Sequence, residues 1–173
     1  LVVDTAFYDA AAEDDEAFWA AQARELLDWS TPWTTVCEWD LPDAKWFVGG
    51  KLNWTYNALE RHVQAGRGEA IALRWEGEEG TIRTYTYAQL LAEVNALARG
   101  LQALGVQPGD RVGLFLPFIP ETAIALLAVS RIGAIALPLF SGFGPEPIIS
   151  RMQDAEAEWL FIADGFPRRG KIV

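Results

Sequence analysis

The sequence predicts an α/β fold in which a parallel βαβαβ sheet with flanking helices follows an aromatic-rich helix and loop extension. Two short, unbroken apolar runs at 112–116 and 135–139 are typical of strands that are covered on both faces, as in a parallel sheet. A third parallel strand is predicted at 158–164, and the segments between the strands are long enough for crossover helices. Six of the eight tryptophans fall within the first 54 residues, which sets that region apart as the extension.

The crossover between the first two strands is predicted to be a helix that begins at Pro120. Proline is tolerated in a first helical turn, and the neighbouring Glu121 lies near the positive end of the helix dipole. Gly133 marks the end of the helix. The residues predicted to form its buried face are Ile124, Leu127 and Ile132.

Two loops are predicted at the carboxyl ends of parallel strands. The glycine-rich loop 140–144 follows the strand at 135–139, and a helix over 145–155 then leads to the third strand. The loop 165–171 follows that strand and carries several basic residues. Ligands of open α/β sheets gather beyond the carboxyl ends of the strands, so these two loops are the first candidates for a binding site.

An antiparallel hairpin and a long helix are predicted ahead of the parallel strands. The segments 70–75 and 82–87 alternate like hairpin strands, with an acidic, glycine-containing turn between them. Thr86 and Gln89 have the spacing of a capping box, and Gly105 ends the helix that the box begins. The predicted buried face of this helix is Leu90, Val94, Leu97, Leu101 and Leu104.

The extension is predicted to begin with an acidic-started helix over 13–28, which buries a stripe of Trp19, Ala23 and Leu26. The stretch 29–53 is predicted to be a loop that packs its rings over a core, because prolines and glycines are interleaved with its aromatic residues. Asn53 can cap a further helix over 54–63. The glycines that follow place a domain boundary after residue 66, which gives an extension over 1–66 and the first, incomplete part of a large domain over 67–173.

Composition and charge narrow the classes of function. Fourteen basic residues against 24 acidic ones give a net charge of -10, which argues against nucleic acid or an anionic membrane as a partner. The amino end lacks the pattern of a signal peptide, and an arginine interrupts the apolar stretch 122–140. The single cysteine, Cys37, permits no internal disulfide, which favours the reducing cytoplasm. The sequence stops at Val173 in what reads as a continuing chain, so we interpret it as a piece of a larger protein.

No motif in the sequence predicts a catalytic or metal-binding residue. The glycines around Lys51 and Lys171 lack the spacing and the Ser or Thr of a phosphate-binding loop, and no dinucleotide-binding glycine pattern follows a strand. His62 is the only histidine, which excludes most triads and leaves Cys37 without an evident base. The machinery for chemistry is therefore predicted to be absent or to lie elsewhere.

The loop 165–171 contains the three cations Arg168, Arg169 and Lys171 within four residues. On an acidic chain, such a cluster at the carboxyl end of a strand could bind a phosphate, because guanidinium pairs bidentately with phosphate oxygens. A solvated basic turn has the same composition, and the spacing alone does not separate the two interpretations.

Three stretches resemble motifs of a known enzyme family. The sequence WFVGGKLNWTYN at 46–57, followed by Arg61 and His62, is similar to the amino-terminal signature of acetyl-coenzyme A synthetases and their short-chain acyl relatives. TYTYAQL at 84–90 and SRIGA at 130–134 resemble the first two core motifs of the adenylate-forming superfamily, which luciferases and peptide-synthetase adenylation domains share. The resemblance covers essentially the whole chain.

This resemblance implies a two-step ligase that uses ATP and coenzyme A, with Mg²⁺ implied by the family only. A small carboxylic acid and ATP would give an acyl-adenylate and pyrophosphate, and coenzyme A would then displace AMP. The family's coenzyme A contacts correspond to Phe140, Ser141 and Gly142 in one loop and to Arg168 and Lys171 in the other, the latter near the 3′-phosphate, with Arg169 as an added cation. Ser141 stands where glycine is usual, and Lys171 stands where arginine is usual.

The family's ATP phosphate loop, ribose-binding carboxylate and mobile-domain lysine have no counterpart in the 173 residues, so the fragment alone is expected to be inactive. Two other functions stay open from the sequence. One is a non-catalytic binding or interaction domain of the same fold, and the other is an adenylating enzyme that loads a carrier protein. The sequence predicts neither the acid nor the oligomeric state.

Overall fold

The computed structural model of the chain describes residues 5–168 and 170–172. The chain forms two compact units, the first ending at Asn53 and the second beginning at Trp54. The boundary predicted after residue 66 lies 13 residues further along the chain (66 minus 53) and stays a prediction. Among the described residues, no helix combines the length and the apolar character needed to cross a membrane.

The first unit begins with two helices, α1 (Thr5–Glu13) and α2 (Asp15–Leu26). Asp14 separates them and caps α2, because its carboxylate accepts a hydrogen bond from the backbone N–H of Ala17 at 2.9 Å. The helix predicted over 13–28 is therefore present, but its predicted buried stripe is partly wrong. Ala20 and Ala23 are buried, whereas the large side chains of Trp19 and Leu26 are about half exposed.

The stretch predicted to be a loop contains an antiparallel hairpin, β1 (Thr35–Asp40) and β2 (Asp43–Val48). The prediction was wrong because Pro42 lies in the two-residue turn between the strands, where its missing N–H breaks no ladder hydrogen bond. The backbone N–H groups of Ser30 and Thr31 both donate to the carbonyl of Lys51, which joins the two ends of the hairpin region.

The second unit begins with a helical segment over 54–67 that contains two π-helical stretches, Tyr56–Glu60 and Val63–Arg67. It starts where predicted and ends four residues later than the predicted Val63, with Gly66 at a positive φ of 78°. Thr55 is fully buried, and its hydroxyl donates to the carbonyl of Leu127 at 2.7 Å. This bond ties the helical segment to the crossover helix described below.

The predicted hairpin and long helix follow as β3 (Ile71–Glu76), β4 (Ile82–Thr86) and α3 (Tyr87–Leu104). Both arms of the capping box are present: the Gln89 N–H donates to the Thr86 hydroxyl at 3.2 Å, and the Thr86 N–H donates to the Gln89 side chain at 2.9 Å. The predicted face of α3 is wrong at its end, because Leu104 is 71% exposed. Ala98, which was not predicted, is buried on that face.

The parallel sheet is confirmed as a βαβαβ arrangement with the strand order β6-β5-β7. Its central strand pairs in parallel with both neighbours, and a short antiparallel pair follows the third strand. The elements in chain order are β5 (Arg111–Phe115), α4 (Pro120–Arg131), β6 (Ile135–Pro138), α5 (Pro145–Asp154), β7 (Trp159–Ile162), β8 (Pro167–Arg168) and β9 (Lys171–Ile172).

The core of the second unit lies on one face of this sheet. Val112 and Leu114 of β5 are buried in one apolar cluster with side chains of α3 and α4. Gly113 points to the opposite face, where a Cβ atom would lie 2.6 Å from the Met152 sulfur of α5. Packing in this cluster holds β5 in place. The loop that leaves β5 at the carboxyl edge of the sheet therefore has a well-defined starting point.

Candidate functional site

The loops after β5, β6 and β7 leave the sheet at the same edge, because the three strands run in parallel. A cavity of ≈ 460 Å³ lies there, a volume within the range of small-molecule sites. The hairpin turn between β3 and β4 forms another part of its wall. The lining residues are Trp75, Glu76, Gly77, Glu78, Glu79, Thr81, Pro117, Phe118, Ile119, Phe140, Ser141 and Phe166.

The glycine loop after β6 forms one wall of this cavity through Phe140 and Ser141. The loop turns tightly, because the Phe143 N–H donates to the Phe140 carbonyl at 2.9 Å. The Phe140 ring lies directly over Gly142, where an added Cβ would come within 2.6 Å of a ring carbon. Any larger residue than glycine at 142 would therefore displace the ring that faces the cavity.

A second set of ring contacts connects the glycine loop to α5. Phe140 and Phe143 meet edge to face with their centroids 5.5 Å apart. The guanidinium of Arg151, in α5, lies 4.4 Å from the centroid of the Phe143 ring, which is within cation–π range. Phe140 is thus supported by α5 while its own ring remains 56% exposed.

The cationic loop after β7 approaches the same cavity. Phe166 lines the cavity together with Phe140 and Ser141, and β8 and β9 follow it directly. Arg168 and Lys171 are opposite each other in the antiparallel register of these two short strands, with Gly170 at a positive φ of 73° in the turn. Lys171 is exposed, and Arg169 lies outside the described residues.

The hairpin turn between β3 and β4 also lines the cavity and was not predicted to contribute to a site. The indole N–H of Trp75 donates to the carbonyl of Phe118 at 2.6 Å. A guanidinium nitrogen of Arg83, in β4, lies 2.7 Å from a carboxylate oxygen of Glu121 at the start of α4. The hydrogen bond to Glu121 is the largest cause of the raised pKa of Arg83, and burial opposes it. One contact therefore ties the hairpin to the loop after β5, and the other ties it to the start of α4.

The wall formed by the hairpin turn is acidic. Glu76, Glu78 and Glu79 line the cavity, and no basic side chain is among the lining residues of the described chain. Like charges repel, so a phosphate group is disfavoured against this wall.

Metal-binding clusters and the single cysteine are two further candidates for a chemical site. No group of three or more His, Cys, Asp or Glu side chains among residues 5–168 and 170–172 is arranged to hold a metal ion. The thiol of Cys37 is buried in β1, and its pKa is raised by burial first and then by the charges of Glu16, Asp15 and Glu38. A raised pKa disfavours the thiolate, so Cys37 is poorly suited to act as a nucleophile.

Comparison with known families divides the chain into two matched regions. A family model described as "AMP-binding enzyme" matches residues 59–171, and one described as "Acetyl-coenzyme A synthetase N-terminus" matches residues 5–58. The match to the acetyl-coenzyme A synthetase N-terminus covers the helices α1 and α2 and the hairpin formed by β1 and β2. The match to the AMP-binding enzyme covers the parallel sheet and the residues that line the cavity.

Individual proteins are similar over almost the whole chain. Acetyl-coenzyme A synthetase of Gemmatimonas aurantiaca is 51% identical over 172 residues, which cover 99% of this chain and 26% of that protein. Acetyl-coenzyme A synthetase of Mycobacterium tuberculosis is 51% identical over 166 residues, which cover 95% of this chain and 25% of that protein. The chain therefore spans about a quarter of the length of these relatives.

A solved structure has a similar fold. Acetoacetyl-CoA synthetase from Streptomyces lividans superposes with a TM-score of 0.84 at 34% sequence identity, and the match covers 94% of this chain and 25% of that chain. The similarity again concerns about a quarter of the longer protein.

Proposed function

Because the chain belongs to the AMP-binding enzyme family, we propose that it is the amino-terminal part of an ATP-dependent acyl-CoA ligase. In the proposed reaction a carboxylic acid and ATP give an acyl-adenylate and pyrophosphate. The thiol of coenzyme A then attacks the acyl carbonyl, forms the thioester and releases AMP. The names of the two sequence relatives, both acetyl-coenzyme A synthetases, support a short-chain acid as the substrate.

The observation that carries this proposal is the cavity at the carboxyl edge of the sheet, with the glycine loop on one wall and the basic turn beside it. Phe140, Ser141 and Gly142 form the wall against which coenzyme A packs. Gly142 leaves room for the Phe140 ring, because an added Cβ would meet that ring at 2.6 Å. The exposed face of Phe140 offers a surface for the uncharged part of the ligand.

The basic turn is proposed to bind the 3′-phosphate of coenzyme A through Arg168, Arg169 and Lys171. Arg168 and Lys171 are opposite each other in the backbone register of β8 and β9. Cationic residues at neighbouring positions of one turn would form charge-assisted hydrogen bonds with a bound phosphate. The carboxylates around Glu79 favour the same orientation, because they repel a phosphate from the part of the cavity that they line.

The residues of this chain supply binding and orientation in the second step. They hold coenzyme A at the sheet edge. ATP, with Mg²⁺ on its phosphates, is proposed as the other cosubstrate on the basis of the family. The reaction is proposed to take place in the cytoplasm, where the free thiol of Cys37 would stay reduced.

The proposal is tested with Arg168→Ala in the full-length protein. A charge-assisted hydrogen bond contributes about 1.5 to 3 kcal/mol, so we expect the coenzyme A KM to rise about ten- to a hundredfold. ATP–pyrophosphate exchange with acetate or propionate should survive, because the first step does not use coenzyme A. The variant should also lose its preference for coenzyme A over dephospho-coenzyme A.

Arg99→Ala is the matched control, because Arg99 is an exposed arginine of α3 outside the cavity lining. A variant at Arg168 that still prefers coenzyme A over the dephospho form as strongly as the parent would remove Arg168 from the site. Exchange without thioester formation by the parent would indicate an enzyme that loads a carrier protein. Absence of exchange by the full-length parent would indicate a non-catalytic binding domain.

A further inference from the structure

The acidic hairpin turn between β3 and β4 has so far been given only the part of repelling the phosphate, although six residues of the hairpin line the cavity. It lines the same cavity as Phe140 and Ser141, and a loop on an isolated hairpin would be free to move away from them. The shape of the cavity therefore depends on contacts that hold the hairpin turn in place relative to the sheet.

Trp75 supplies a direct tether between this turn and the sheet edge. Its indole N–H donates to the backbone carbonyl of Phe118 at 2.6 Å, and Phe118 lies in the loop that connects β5 to α4. The acceptor is a backbone atom next to the central strand, so it is placed by the core and not by a flexible side chain. The tether thus joins the hairpin to the loop that follows the central strand.

The turn is shaped to hold the Trp75 ring in this position. An added Cβ on Gly77 would lie 2.6 Å from Cη2 of Trp75 and 3.2 Å from Cζ2, so only glycine leaves room for the ring. Gly142 does the same for the Phe140 ring, with an approach of 2.6 Å. Trp75 and Phe140, which both line the cavity, therefore each pack closely against a glycine.

We propose that Trp75 is a positioning residue for the coenzyme A half-reaction, and that it acts by holding the acidic turn at the cavity that Phe140 also lines. This inference rests on the proposed function, because it takes coenzyme A as the occupant of the cavity. Trp75 keeps the cavity narrow enough for the ligand to contact both the turn and Phe140. It also keeps the carboxylates of Glu76 and Glu79 on the side from which the phosphate is repelled.

The test uses Trp75→Phe in the full-length protein, which removes the indole N–H and keeps an aromatic ring. A neutral hydrogen bond contributes about 0.5 to 1.5 kcal/mol, so we expect the coenzyme A KM to rise about two- to tenfold. The KM values for ATP and the acid, and the rate of ATP–pyrophosphate exchange, should not change. Gly77→Ala should act in the same direction, because its Cβ displaces the Trp75 ring.

Trp39→Phe is the matched control, because Trp39 undergoes the same change at an exposed position of β1 in the first unit. An equal coenzyme A KM in the Trp75→Phe, Trp39→Phe and parent proteins would overturn the inference. Loss of exchange together with coenzyme A affinity would also overturn it, since a structural defect alone affects both half-reactions. A parent that exchanges pyrophosphate but forms no thioester would instead refute the proposed function, and the inference with it.

Discussion

Each of the two units is stabilised internally by a different kind of contact. In the first unit, the rings of Trp29, Trp33 and Phe47 pack against one another with centroids 4.8 to 5.4 Å apart. Among its described residues, the fully buried apolar side chains are the small ones of Ala20, Ala23 and Cys37. The second unit instead has one aliphatic cluster that joins α3, α4 and the central strand β5.

This difference matters for where a binding site can form. An aliphatic core spreads its stabilisation over many contacts and packs the sheet densely, so the loops at its edge have fixed starting points. A ring cluster depends on a few specific ring positions and on the polar contacts of each ring, such as the indole N–H of Trp29 donating to the Ala23 carbonyl at 2.9 Å. The cavity lies in the second unit, at the edge of the densely packed sheet.

The largest expected effect is a loss of stability on Leu114→Ala. Leu114 is 3% exposed in the middle of the sheet, and a buried Leu→Ala change costs about 2 to 5 kcal/mol of unfolding free energy. Leu104→Ala is the control, because Leu104 is 71% exposed at the end of α3 and its loss should cost less than about 0.5 kcal/mol. Urea denaturation of both variants of the chain measures the contrast, and equal losses would show that β5 is not the centre of the core.

A smaller loss of stability is expected for Gly50→Ala in the first unit. The added Cβ would lie 2.6 Å from a ring carbon of Trp29, so the ring cluster must shift, at about 1 to 3 kcal/mol. The near-ultraviolet circular dichroism should change with it, because the packed tryptophans move.

Gly100→Ala is the control for Gly50→Ala and should have the opposite sign. No atom lies within 4 Å of its added Cβ, and alanine is favoured over glycine inside a helix by about 0.5 to 1 kcal/mol. Stabilisation by Gly50→Ala would contradict the ring-packing account of the first unit.

Thr86→Ala removes one arm of the capping box at the start of α3. The Gln89 N–H then loses its partner, and the expected cost is about 1 kcal/mol of unfolding free energy. Thr86→Ser keeps the hydroxyl and serves as the control, measured in the same urea titration. A loss as large as that of Leu114→Ala would mean that the helix end, and not the aliphatic cluster, limits the stability of the second unit.

The smallest effect is expected at the ion pair between Arg83 and Glu121. The two side chains are 40% and 49% exposed, and pairs of this kind contribute about 0 to 1 kcal/mol and weaken with salt. Arg83→Met should therefore cost little stability, and the cost should shrink further in concentrated salt. A large, salt-independent loss would assign the hairpin's position to Arg83 and reduce the part given to Trp75.

Much of the second unit could be predicted from sequence because its signals are local. Unbroken apolar runs, the proline at 120 and the capping box each act within a few residues, and all three correspond to observed elements. The hairpin of the first unit was missed because Pro42, which argues for a loop by itself, lies in a turn between two paired strands. Leu104 was assigned to the buried face by its spacing, although the core ends one turn before it.

The candidate site, like the fold, could be predicted from the sequence only in part. The glycine loop and the basic turn were predicted at one edge of the sheet from the order of strands and helices, and the described parts of both loops lie there. The acidic wall and Trp75 were missed, because Trp75 and Phe118 are 43 residues apart along the chain. An aromatic residue directly before an acidic turn was the one local signal, and hairpins without a site carry it too.

The sequence by itself determined the α/β class, the parallel strands and the family, since each depends on short-range patterns and on motifs that are read residue by residue. Only the tertiary structure decided the strand order β6-β5-β7, the hydrogen bond from Trp75 to the Phe118 carbonyl, and the acidic wall of the cavity that Phe140 also lines. Such contacts join segments that are distant along the chain, and their geometry is set by how the apolar surfaces of the sheet and helices pack against one another.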